Sequence, residues 1–309
     1  MNMASIIEQM VVLLFASMLG FVGAKLNIMN DDSNKHLSRI VLNLTLPCSI
    51  LASVFRNERL LSNSQTVLLT VIAFLTVGIL IVVAIFLVKL LRIPSEQIGV
   101  TKFMLIFTNS IFFGFPVIRA IFGPNALFYA AIINMAFYIF CYTYGIVLVS
   151  GTKEKSHFSW KALLTPMVLA SLLSYVIYFI DFQAPEFIVN ALMFMDGVTS
   201  PLSMMTIGCA LAAISFKKTI RAWRVYIVLI IRMLIFPFIY YFLIGLFIDN
   251  RLILSVATII TAMPAPASTT MLCANYGGDQ TAASAGVLFS TLISLATIPL
   301  LSFFLLSFI

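Results

Sequence analysis

Two short stretches hold most of the residues that could do chemistry in this chain: Thr108-Asn109-Ser110-Ile111-Phe112-Phe113-Gly114-Phe115-Pro116 and Thr261-Ala262-Met263-Pro264-Ala265-Pro266-Ala267-Ser268-Thr269. Each sets hydroxyl or amide side chains beside proline within a long apolar run. Proline removes a helix donor and clashes with the preceding turn, so both stretches predict interrupted helices, with Pro264 and Pro266 unwinding about one turn. Pro116 and Pro266 suit the first turn of a new half-helix. Two half-helix N-termini would then face the membrane midplane from opposite sides. Each offers free N–H groups and a partial positive charge, a setting that suits an anion. Asn109, Ser110, Ser268 and Thr269 add neutral donors without the desolvation cost of a full charge. Asn134, Tyr138 and Tyr142 recur at i, i+4 and i+8, one polar-aromatic stripe able to line a cavity or to hydrogen-bond between helices. Pro47 and Pro201, each with a serine two residues on, read as packing kinks.

Ionisable residues within apolar runs are functional candidates by default. Asp196 is the candidate proton- or cation-coupling carboxylate, and Arg119, just after Pro116, could hold an anion or a carbonyl end. Arg232 lies near a basic edge and reads as snorkelling to it. Cys48, Cys141, Cys209 and Cys273 lie in apolar runs without a C-x-x-C pair, so they read as small buried hydrophobes. His36 and His157 both stand in polar connecting stretches, so no metal site is expected; no catalytic residue or cofactor is expected either.

Composition dictates the elements that position these residues. The chain has 309 residues, 62% hydrophobic and 9% charged, whereas soluble domains are roughly 25% charged. So few charges cannot cover a water-facing surface, and a chain this apolar is not disordered. What remains is an all-α integral membrane protein with no room for an extramembrane domain. The net charge of +7 reads as membrane topology and not as nucleic-acid binding, because basic residues gather in cytoplasmic loops.

Apolar runs predict ten spans, at roughly 4–23, 37–55, 66–91, 102–122, 126–149, 162–180, 187–214, 224–248, 252–275 and 281–308. Charged breaks such as Asp31-Asp32, Arg56-Asn57-Glu58-Arg59, Lys153-Glu154-Lys155 and Lys217-Lys218 separate them. Loops after odd-numbered spans carry thirteen Lys and Arg against three after even-numbered ones, which makes the odd loops cytoplasmic and both termini extracytoplasmic. This predicts a multi-pass protein of the plasma (inner) membrane. A shift of 154 residues lays Thr45-Leu46-Pro47-Cys48-Ser49 on Thr199-Ser200-Pro201-Leu202-Ser203 and Phe122-Gly123 on Tyr276-Gly277. The shared offset predicts a duplicated five-helix unit: 1–150, a short cytoplasmic linker 151–161, and 162–309. Five is odd, so the second copy enters the membrane from the other side. The repeats are therefore inverted, an architecture typical of secondary transporters, in which paired interrupted segments mark the transport site.

Asn109-Ser110 with Phe113-Gly114-Phe115-Pro116, then Tyr129-Ala130, Asn134 and Tyr142-Thr143-Tyr144-Gly145, resembles the auxin efflux carrier family. So do Pro201 with Gly208, and Pro264-x-Pro266 followed by Tyr276-Gly277. The family includes plant PIN carriers and bacterial permeases for malate and related organic acids. The resemblance implies an NhaA-like fold, shared with bile-acid sodium symporters, in which broken helices four and nine cross. Spans one, two, six and seven would form a scaffold and the others a moving, elevator-type transport domain. Its substrate region carries over to Asn109, Pro116, Asn134, Pro264 and Pro266. Together with the residues above, the candidate binding set is Asn109, Ser110, Gly114, Pro116, Asn134, Tyr138, Pro264, Pro266, Ser268 and Thr269. The 151–161 linker is far shorter than the loop of plant carriers, which favours a compact bacterial-type permease.

The expected function is a secondary active transporter moving a small organic anion, a carboxylate or an auxin-like acid, by alternating access. Its partners would be that anion and the lipid bilayer, with a homodimer through the scaffold helices. The sequence leaves coupling to H+ or Na+ open. A sodium- or proton-coupled exchanger of the bile-acid-symporter type would want deep carboxylates, and spans three, four, five, eight and ten contain none. An intramembrane enzyme is the competing class. Gly277-Gly278-Asp279 lacks a second membrane aspartate in the right context, and Asp31-Asp32 lacks further acidic partners. No G-x-x-x-x-G-K-[ST] occurs, which excludes ATP hydrolysis by that motif. A sensor is the remaining alternative, separable by transport measurements.

Overall fold

The computed structural model describes residues 3–55, 62–150, 164–213 and 223–306, and every regular element among them is helical. In chain order these are α1 (Met3–Lys25), α2 (Asp31–Phe55), α3 (Asn63–Leu90), α4 (Ser95–Ile106), α5 (110–122), α6 (Ala126–Ser150), α7 (Pro166–Ile180), α8 (Glu186–Ala213), α9 (Trp223–Ile244), α10 (Arg251–Ala262), α11 (Ser268–Tyr276) and α12 (Gln280–Leu306). With α4 and α5 taken as one run, seven helices among the described residues are long and apolar enough to cross a membrane; Val11–Lys25, Pro166–Ile180 and Arg251–Ala262 are shorter apolar helices. The predicted turns at 56–59 and 217–218 and the linker 151–161 lie outside the described residues.

Side chains and backbone set the helix ends. Ser62 and Gln65 open α3 with a reciprocal capping box, and Asn30 and Ser33 do the same for α2. Asn250 caps α10, and Thr165 followed by Pro166 starts α7. Gly123 (φ 83°) closes α5 and Gly277 (φ 82°) closes α11, each in a conformation that a side chain would strain.

Proline acts differently from the sequence expectation. π turns at Val41–Thr45, Ser110–Gly114 and Ile231–Ile235 each run into a Leu-Pro or Phe-Pro pair ending at Pro47, Pro116 and Pro237. In each, the residue before the proline donates five residues back: Leu46 to Val41, Phe115 to Ser110 and Phe236 to Ile231. The wider turn gives the proline ring room beneath the preceding carbonyl, so the chain stays helical. Pro116 therefore does not begin a half-helix. The break in this region lies at 107–109, and α5 runs through the proline.

Packing places the broken pieces at the centre. In the run Ser95–Phe122, 72% of the apolar window is buried, against 50% or less in the six others. α1 packs on α8, α7 on α2, and α2 on α8; α4 packs on α12 and α10 on α6. α1 and α8 approach backbone to backbone, since a Cβ on Gly208 would fall on the Ser17 carbonyl and one on Gly20 on the Met205 carbonyl. Ser49 donates to Thr199 Oγ1 at 2.8 Å where α2 meets α8. Outward-facing Val82, Phe86, Phe194 and Leu246 leave an apolar surface that suits lipid.

The glycine contact yields a direct test. Gly208→Ala should cost about 1–3 kcal/mol through overpacking against rigid backbone. Gly78→Ala, with nothing within 4 Å of the added carbon, should be neutral or stabilise by roughly 0.5–1 kcal/mol. Melting temperatures in detergent will show whether the two substitutions separate in this order.

Candidate functional site

The two irregular segments, 107–109 and 263–267, meet inside the protein, where the Asn109 N–H donates to the Pro264 carbonyl at 2.8 Å. Met263 is extended (φ −62°, ψ 149°), as a residue before proline prefers, and this ends α10. Gly114 is buried against Met263, whose Cγ would lie 3.1 Å from an added Cβ, so a larger residue there would push the segments apart. The Ala265 N–H donates to Ser290 Oγ of α12 at 3.0 Å, and Thr269 Oγ1 donates to the Pro266 carbonyl at 2.6 Å. These contacts satisfy backbone groups that the breaks release, which is the condition for irregular chain at membrane depth.

Between the two segments, α2 and α6 lies a cavity of about 80 Å³. Thr108, Asn109, Ser110, Asn134, Tyr138, Tyr142, Pro266 and Ser268 line it, and no charged side chain does. Its walls also include Ile111, Phe112 and Ala267. In α5 the first bonded amide is that of Phe113, to the Asn109 carbonyl at 3.2 Å. In α11 it is that of Thr269, to the Pro266 carbonyl at 3.0 Å. The lining residues Ser110, Ile111, Phe112, Ala267 and Ser268 are thus those whose amides precede helical bonding in the two half-helices. Ser110 Oγ donates to Asn134 Oδ1, which leaves the Asn134 amino group as a donor. Asn134 Nδ2 and Thr108 Oγ1 have no hydrogen-bond partner, although Asn134 is only 2% and Thr108 9% exposed. An unpaired buried polar group costs about 1–3 kcal/mol, so both groups at this cavity have hydrogen-bonding capacity that the protein does not use.

Of the predicted set, Asn109, Ser110, Asn134, Tyr138, Pro266 and Ser268 share this cavity, and the Asn134–Tyr138–Tyr142 stripe forms one wall. Gly114, Pro116, Pro264 and Thr269 do not line it. Pro264 and Thr269 hold the second break from behind, through a carbonyl and a hydroxyl respectively, Gly114 packs on Met263, and Pro116 lies within the continuous α5. Thr108 and Ser290 were missed as candidates. Thr108 adjoins Asn109 in the first stretch, but nothing local marks Ser290, whose role comes from the packing of α12.

A larger cavity, about 370 Å³, lies among α1, α5, α8 and α12, with walls that are apolar apart from Ser17, Thr291 and Ser294. Size alone would favour it. It lacks the convergent polar groups that orient a ligand, so the smaller cavity is the candidate site.

Two arginines depart from their expected surroundings. Arg119 Nη1 binds Asp196 Oδ1 and the Asp196 carbonyl (3.1 Å), joining α5 to α8 away from the cavity. Asp196 is 1% exposed, so it is an ion-pair member within the protein and not a carboxylate at the cavity wall. Arg232 does not snorkel. It is fully buried, with Nε donating to the Leu105 carbonyl at 3.0 Å and Nη1 to the Met263 carbonyl.

The profile of a family described as membrane transport protein matches residues 5–302 of the chain. The chain is 24% identical to an uncharacterised transporter of Methanocaldococcus jannaschii, an alignment covering 97% of this chain and 99% of that one. It is 25% identical to an uncharacterised transporter of Methanothermobacter thermautotrophicus, covering 96% and 97% respectively.

The ion pair sets up a double-mutant cycle. Arg119→Gln, which takes the cation from a buried carboxylate, should destabilise by about 3–5 kcal/mol. Adding Asp196→Asn should recover part of that loss. Strictly additive melting shifts across the cycle would show that the pair is not coupled.

Proposed function

The chain belongs to the membrane transport protein family, that of the auxin efflux carriers, and from this premise we propose that it is a secondary transporter carrying a small organic anion across the plasma membrane by alternating access. The carrying observation is the neutral cavity that collects the leading amides of α5 and α11 with the unpaired donors of Asn134 and Thr108. Helix N-termini and neutral donors together favour an anion, and no acidic side chain opposes one. The volume of about 80 Å³ lies far below the roughly 300–1,000 Å³ of ordinary small-molecule pockets. This supports a short carboxylate over an auxin-like indole acid. It also counts against a cation-coupled exchanger of the bile-acid-symporter type, which needs carboxylates at its centre.

We read the architecture as ten membrane segments in two inverted repeats, 1–150 and 162–309, with α4–α5 and α10–α11 as crossed broken helices. Several features support this reading. The pairing of α1 with α8 mirrors that of α7 with α2, and the pairing of α4 with α12 mirrors that of α10 with α6. Ser49 and Thr199 come from the duplicated Thr-x-Pro-x-Ser segments, and glycines of positive φ, Gly123 and Gly277, end corresponding helices. In this scheme α1, α2, α7 and α8 form the scaffold and the dimer face. The remaining helices carry the site, elevator-fashion, and both termini lie outside the cytoplasm.

Uptake into proteoliposomes tests the reading, using acetate, lactate, malonate, succinate and indole-3-acetate with and without sodium and a pH gradient. A short carboxylate should be taken up and indole-3-acetate excluded. Asn134→Asp and Thr108→Val should each lower that uptake at least ~10-fold, the loss of one hydrogen bond to a charged group; Asn134→Asp keeps the oxygen that accepts from Ser110 Oγ. Unchanged uptake in both Asn109→Ala and Pro266→Ala would sink the assignment of the site.

A further inference from the structure

Arg232 is the one fully buried cation among the described residues. The two ion pairs among those residues, Lys35–Asp32 and Arg119–Asp196, do not include it. A charge at such depth persists only where something compensates it. Its partners are the carbonyls of Leu105, in the last turn of α4, and Met263, the C-cap of α10. Both belong to helix C-termini, whose final carbonyls lack helical partners and which each carry about −0.5 of an elementary charge. The two ends together come to about −1, which matches the guanidinium. The rigid fork of arginine is suited to serving two acceptors on different elements at once, and the π turn Ile231–Ile235 of α9 carries the side chain.

We propose that Arg232 is the positioning residue of the transport site. It clamps the C-terminal ends of α4 and α10 at the two breaks and cancels their field, so the N-termini of α5 and α11 are left as the net helix field at the cavity. Without it, the two negative ends would offset the two positive ones, and the cavity would lose its preference for an anion. The transport consequence rests on the anion reading above. The clamp itself does not.

Wild type, Arg232→Lys and Arg232→Met should be compared by melting temperature, by hydrogen exchange of peptides 103–110 and 261–268, and by malonate uptake in proteoliposomes. The Met variant should melt lower by about 5 °C or more, and both break peptides should exchange faster. Its KM for malonate should rise at least ~10-fold, with a smaller change in maximal rate, while Lys should recover part of each effect because it keeps the charge. An idle buried charge gives the opposite result, since replacing it with an apolar side chain removes an uncompensated desolvation cost. A Met variant as stable as wild type, with unchanged exchange and KM, therefore overturns the proposal. Arg232→Gln, which keeps donors without charge, replaces Met if Met does not fold, and wild-type exchange and KM there overturn it equally. If wild type takes up no malonate, the anion reading fails for this probe and the melting and exchange results alone decide the clamp.

Discussion

A backbone that leaves the helix inside a membrane-embedded protein has to find new hydrogen-bond partners, and the centre of this molecule is organised around that requirement. The bond from the Asn109 amide to the Pro264 carbonyl ties one break to the other. Ser290 takes the amide of Ala265, Thr269 takes the carbonyl of Pro266, and Arg232 takes the carbonyls of Leu105 and Met263. The freed groups are not shared out evenly. The carbonyls of Leu105 and Met263 and the amides of Asn109 and Ala265 are met by protein, whereas Ser110, Ile111, Phe112, Ala267 and Ser268, whose amides precede helical bonding, line the cavity. On the proposed reading, that asymmetry is what lets a neutral set of side chains favour negative charge.

The surrounding helices are held together by different means. α1 and α8 meet through glycines at backbone contact, a geometry with no slack. α5 is attached to α8 through Arg119 and the buried Asp196, a polar link in place of close backbone packing. Prolines 47, 116 and 237 follow π turns and leave their helices continuous. Only the pair Pro264 and Pro266 interrupts a helix, because residues on both sides of Ala265 are then barred from the helical ladder.

Much of this was legible in the residues because apolar runs, capping residues and proline act locally. The apolar helical runs, the break at Pro264–Pro266 and the Asn134–Tyr138–Tyr142 wall all follow from periodicity and donor chemistry along one element. The break before α5 was misplaced because a π turn, which no single residue type announces, absorbs the effect of Pro116. Arg232 was misread for a related reason. Its distance from a basic edge is a property of the sequence, whereas its acceptors belong to α4 and α10, more than a hundred and about thirty residues away respectively.

The amino-acid sequence by itself determined that this chain lives in a membrane, where its helices run and which stretches carry neutral donors. Those outcomes depend on hydrophobicity and backbone sterics, which are summed residue by residue. Only the tertiary structure decided which donors share a cavity, that Asp196 is matched by Arg119, and that a buried guanidinium faces two helix ends. Hydrogen bonds and charge compensation act over a few ångströms between elements, so their outcome is set by which elements pack together.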